Sequence, residues 1–404
     1  MRVHATIRLA LACFVSALST ASSCASDGGP KPEREHDEPP LDASCAALEP
    51  SCLENQKVCV AGAEPRCEAC PPGEYASRER HRCVRLAGEP LRHEFADFTV
   101  GPSEEVLGSC QSWTLGNAEE IWVNAVELEQ NAQSHHSNWL FVPSDKFDGP
   151  DGVWPCPERG YTQLAAALAG GVLYAQSTQA KHEVQKFPEG AAVRIPPYAR
   201  IIGDVHLLNV TERPVTGRIT LSLYALPVRD VSVKLAPFHL TYDKLDIPPG
   251  KTSRFFGECD IEQALSSSLS MQLYFLLPHT HALGTRYFVE LLGGPRDGES
   301  LIDVRGFNGE GRGRYYDPPV DVEGARGFRF GCEFDNPRAE AVHWGFGDQE
   351  MCENLGFIAS DYAFESTVKE VVDAGVDGDI PTFTGSCTTL AFKYDQTKAG
   401  GPPQ

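Results

Sequence analysis

Two groupings among the 12 histidines have spacing that could hold a metal. His279-Thr280-His281 closes the apolar run from Leu273 to Pro278. On a strand, residues i and i+2 point to the same face, so these two imidazoles would converge on one ion. His135-His136 stands just before the apolar run from Trp139 to Val142. Adjacent strand residues face opposite sides, so this pair shares an ion only where the backbone twists or at a strand end. By spacing, the His-x-His pair is the stronger signal. His206 lies mid-strand among apolar neighbours in Asp204-Val-His-Leu-Leu and reads, by itself, as a core histidine. Met351 is one of three methionines and sits beside Cys352. Alone it reads as core filler, but next to two histidines its thioether is a soft ligand that favours Cu(I).

Strands must position these residues. Ile201–Val210, Arg218–Ala225, Val231–Tyr242, Met271–Leu283, Tyr287–Leu292 and Gly327–Phe334 are short β-type runs. Turn sequences such as Ile247-Pro-Pro-Gly250 and Gly293-Gly-Pro-Arg-Asp-Gly298 separate them. The segment from Tyr161 to Tyr174 reads as a helix interrupting the series. Thirty Pro and 37 Gly against three Met suit a turn-rich β protein. The expected fold is all-β, with two tandem antiparallel β-sandwich, jelly-roll-like domains at 90–228 and 229–392.

The chain has 404 residues and a formal charge of −21. That balance argues against a nucleic-acid partner, which needs a basic footprint. Arg2, Arg8 and the apolar run from Leu9 to Ala21 read as a signal peptide over 1–23. Ala21-Ser22-Ser23-Cys24 resembles a bacterial lipobox, and an ordinary cleavage site is the alternative. Residues 24–44, rich in Pro and charge, read as a flexible tether. Of 14 Cys, Cys13 leaves with the leader and Cys24 would carry lipid. The remaining twelve can all pair in an oxidising compartment. Six of them crowd into a module at 45–84 too poor in large apolar residues to fold unstapled. Its Cys67-Glu-Ala-Cys70 spacing leaves zinc as the alternative to disulfides, and the stretch loosely resembles EGF-like modules. The expected location is exported: an outer-membrane lipoprotein, or periplasmic or extracellular. The membrane contact would be confined to a lipid on Cys24.

From about residue 90 to 390 the chain resembles the type II, two-copper monooxygenases of the peptidylglycine α-hydroxylating and dopamine β-monooxygenase group. Matching motifs occur in order: His135-His136; Leu173-Tyr-Ala175; Phe187-Pro-Glu-Gly190; Asp204-Val-His206; Ile247-Pro-Pro-Gly250; His279-Thr-His281-Ala-Leu-Gly284; Pro318-Pro-Val-Asp-Val322; and Glu340-Ala-Val-His343-Trp-Gly345 leading to Glu350-Met351-Cys352. The resemblance implies two copper ions per chain. His135, His136 and His206 would hold the electron-storing copper. His279, His281 and Met351 would hold the catalytic one, across a cleft between domains. It also implies the disulfides Cys110–Cys156, Cys259–Cys387 and Cys332–Cys352, which leaves the six Cys of the module, outside the resemblance, to pair among themselves.

The activity so implied is hydroxylation of a C–H bond of a small organic substrate by O2, with ascorbate or another one-electron reductant. The chain departs from the peptide-amidating members at three positions. Leu277 replaces their Arg, Leu355 their Tyr and Glu353 their Asn, so no peptidylglycine substrate is expected. Glu353 reads either as a partner for a cationic amine or as a solvated acid. His81, His93, His182, His239 and His343 read as structural or surface residues. Two other classes remain: a non-catalytic copper-binding or sequestration lipoprotein, and a recognition lipoprotein that works through its Cys-rich module.

Overall fold

The computed structural model describes residues 41–131, 134–176, 180–306, 313–345 and 348–394. The expected leader, Cys24 and all but the end of the tether lie outside these. The protein is all-β: among the described residues, α-helix is confined to Glu49–Glu54, Gln163–Ala169 and Ile261–Leu265.

In the first half, a five-stranded sheet runs in the order Gly152–Pro155, Glu105–Thr114, Arg200–Leu208, Ser134–Val142, Gly171–Ala175. Its inward side chains, among them Trp139, Ile201 and Val205, share a core with Val123, Ile195, Leu221 and Leu223. Those four come from Ile121–Gln130, Ala191–Ile195 and Ile219–Leu226, strands of a second sheet. In the second half, Val233–Thr241, Gln272–His279 and Glu353–Ala359 pair with one another. Lys251–Asp260, Gly284–Leu292 and Gly327–Asn336 form another group. Phe238, Leu273, Phe255 and Phe330 fill the core between them.

The two halves are not insulated from each other. Leu235, Tyr274, Phe275, Leu277 and Phe357, all from the second half, belong to the first core. Phe187 packs edge-on against Phe357, with ring centroids 5.0 Å apart. Ala191–Ile195 also pairs in parallel with Val233–Thr241, Ala191 opposite Val233.

The helix expected from Tyr161 to Tyr174 is shorter, Gln163–Ala169. Thr162 caps it, its hydroxyl accepting from the Ala165 N–H at 3.1 Å. Gly170 then packs so closely on the Phe141 carbonyl that a Cβ there would lie 1.9 Å from the oxygen. Beyond it Val172, Leu173 and Tyr174 are taken up as a sheet strand beside Trp139 and Leu140, where β-branched and aromatic side chains pack well.

Six disulfides lie among the described residues. Cys45–Cys59, Cys52–Cys67 and Cys70–Cys83 lie within the N-terminal module. Cys110–Cys156, Cys259–Cys387 and Cys332–Cys352 lie in the β halves. Such a set persists only in an oxidising environment, outside a reducing cytosol. The module is docked on the outside of the first half. Leu86 and Tyr75 pack with Ala125, Val184 and Tyr224. The buried Glu127 carboxylate accepts from the Gly73 N–H at 2.7 Å and the Tyr224 hydroxyl at 2.9 Å, and also pairs with His182 at 2.8 Å.

Candidate metal centre

His135, His136 and His206 converge, with one nitrogen of each lying within 4.8 Å of the others. His136 and His206 sit directly opposite on adjacent antiparallel strands and so share a face. Adjacent His135 would ordinarily point away. The register, however, slips here: His206 faces His136 while Leu207 faces Ser134, so His135 is the extra residue of a β-bulge. The bulge turns its ring back, and the Nδ1 atoms of His135 and His136 come within 3.1 Å. On the same two strands, Asp204 pairs with Asn138, and Gln163 fastens the short helix to both. Its amide donates to Asp204 at 3.1 Å and accepts from Asn138 at 3.1 Å.

The hydrogen bonds decide which nitrogens are free. His206 Nε2 lies 2.7 Å from the Glu105 carboxylate and so carries the donated proton. That leaves His206 Nδ1 as the acceptor, buried and without any partner. An orphaned buried acceptor costs free energy unless something fills it. Three imidazoles meeting beside that orphaned acceptor fit a borderline or soft transition-metal ion. Burial and the neighbouring imidazoles push His135 down to about 4 and His136 well below its ordinary value. Burial also lowers His206, although Glu105 opposes the shift. The rings are therefore neutral at neutral pH, as metal ligands must be.

The second grouping is built differently from the sequence expectation. The strand ends at His279, so His281 stands in the following turn rather than on the same strand. The rings still approach, with centroids 5.1 Å apart. Glu350 shapes the turn: its buried carboxylate accepts from the backbone N–H of His281 at 2.8 Å and of Leu283 at 2.7 Å. The Gln349 carbonyl lies 2.7 Å from His281 Nδ1 and fixes the proton there, which frees Nε2 for an ion. Met351 is buried in the same segment, next to the Cys332–Cys352 bridge. Burial and the neighbouring His281 imidazole lower His279 to about 4.

The two groupings are not held apart by a cleft. The His136 and His279 rings lie 5.5 Å apart, centroid to centroid. Strand alternation explains the approach. Phe275 and Leu277 enter the first core, and His279 continues that face of the same strand.

Glu353 is neither a solvated acid nor a free carboxylate. It accepts from the Trp344 indole N–H at 3.1 Å and lies 3.5 Å from His239. His239 is held on its other side by Glu365 at 2.9 Å. Burial opposes a charge on His239, but the two carboxylates prevail and raise it to about 10. Leu277, at the position of the missing Arg, is a core side chain. His343 is exposed, and His93 stacks on Trp113 at 4.8 Å. Glu105, Gln349 and Glu350 were not singled out as site residues from sequence. Only Glu350 and Gln349 carried a signal there, by adjacency to Met351.

No family model matches the chain, and no curated protein matches it. Among solved structures, the major capsid protein P2 from bacteriophage PM2 overlaps at 8% identity, over 67% of this chain and 97% of that one, with a TM-score of 0.29. PNGF-II overlaps at 9% identity, over 67% of this chain and 65% of that one, with a TM-score of 0.28. Overlaps this weak carry no argument about function.

Proposed function

We propose that this chain is an exported two-copper monooxygenase that hydroxylates a C–H bond of a small organic substrate. O2 is the oxidant and an external one-electron reductant, such as ascorbate, supplies electrons. The observation that carries the reading is the meeting of His135, His136 and His206 with a buried, unpartnered Nδ1 on His206. His135, His136 and His206 would hold one copper, and His279, His281 and Met351 the other. When bound, copper supplies single-electron reduction of O2, and a thioether ligand favours its Cu(I) state.

The chain's own groups set up that chemistry. Glu105 fixes the tautomer and orientation of His206, and the Gln349 carbonyl does the same for His281. Glu350 fixes the turn that presents His281. Leu277 lies in the core and Glu353 is occupied by Trp344 and His239, so neither of these two positions offers a free charged group to a substrate. The acidic surface suits no nucleic-acid partner. A lipid on Cys24 would tether the protein to the outer membrane.

The test is oxygen uptake by the copper-loaded protein with ascorbate, screened over hydrophobic amines, phenols and glycine-extended acyl compounds under ¹⁸O2. One ¹⁸O atom in a product supports the reading. Copper binding without substrate-dependent oxygen uptake across the screen would favour a copper-sequestering protein.

A further inference from the structure

The geometry points to one contiguous centre: the two copper sites touch through the His136 and His279 rings and are held in contact by a core common to both halves. This rests on the two-copper reading and goes beyond it.

The ring centroids are 5.5 Å apart with the planes tilted by 58°. That is within the range of direct aromatic contact, which leaves no room for a water layer between the rings. The remaining imidazoles extend the cluster on both sides. His136 lies 4.8 Å from His206 and 5.3 Å from His135, and His279 lies 5.1 Å from His281. Five rings thus form an unbroken series.

The contact follows from how the halves are joined. Phe275 and Leu277 lie on the strand that ends at His279, and both are buried in the first core. Phe357, on the strand paired with it, packs edge-on against Phe187 at 5.0 Å. Tyr274 and Leu235 join the same core. Domains that rock apart are joined by small, polar interfaces, whereas a large apolar interface fixes them. Here opening the His136–His279 contact would drag Phe275, Leu277 and Phe357 out of a packed interior. The centre is therefore fixed, not assembled by closure of a cleft.

A bond of about 2 Å from each ring nitrogen caps the separation of an ion on His136 and an ion on His279 at about 12 Å. The experiment is to load the full chain with Cu(II), count the ions, and measure their dipolar coupling by electron paramagnetic resonance in frozen solution. Met351→Leu, with one site emptied, serves as the uncoupled control. Two ions with a single narrow distance under that cap, and loss of the coupling in the control, are expected. Two ions with a longer distance or a broad spread would overturn the fixed contact and leave the two-copper reading standing. Fewer than two ions would overturn both.

Discussion

Glu105→Ala tests how the three-histidine site is made. Glu105 touches the site through one bond, its carboxylate to His206 Nε2 at 2.7 Å. That bond keeps the proton on Nε2 and leaves Nδ1 as the free acceptor. Removing such an outer partner weakens metal binding by about 10- to 100-fold. The Glu105 side chain is 38% exposed, so water can replace part of the bond. The loss should then sit near the lower end, about tenfold or roughly 1.4 kcal/mol. Glu105→Gln retains an acceptor oxygen without the charge and should lose less. The assay is Cu(I) titration against a competing chelator, with the two sites resolved by repeating it on Met351→Leu. Only the three-histidine site should weaken. Equal weakening at both sites, or none at either, would refute the assignment of Glu105 as the orienting partner.

Met351→Leu should cost the fold less than about 1.5 kcal/mol because the volumes are close, yet drop copper from two ions toward one, read by metal analysis and thermal melting. Glu350→Ala orphans two backbone N–H groups at about 1–3 kcal/mol each; it should lower the unfolding midpoint and empty the second site while sparing the first. His239 is raised from 6.5 to about 10, so its stabilising contribution is complete below pH 6.5 and is lost as pH rises through about 10. His239→Gln should flatten that alkaline decline in urea-unfolding midpoints, and an unchanged slope would sink the His239–carboxylate pairing.

The strand series follows patterns visible in the chain, whereas the three β-domain disulfides and the joining of His206 to His135 and His136 are implied only by the family resemblance. Alternation and turn residues are local signals, whereas His206 by itself reads as a core histidine and meets His136 only through strand pairing. What the sequence hid is non-local or sub-residue in scale. The bulge at His135 is a one-residue slip in register, which no periodicity reveals. His281 leaves its strand because Glu350, 69 residues away, clamps the turn. Glu105 lies 101 residues from His206 and carries no motif. The helix shortened because Gly170 passes against Phe141, a contact made only after folding.

The central claim is most directly tested by counting copper in exhaustively dialysed protein and in two single-site variants. Two ions per chain are predicted for the native sequence, one for His206→Ala and one for Met351→Leu, with the fold intact in each. A native protein that retains no copper, or variants that both keep two ions, would contradict it.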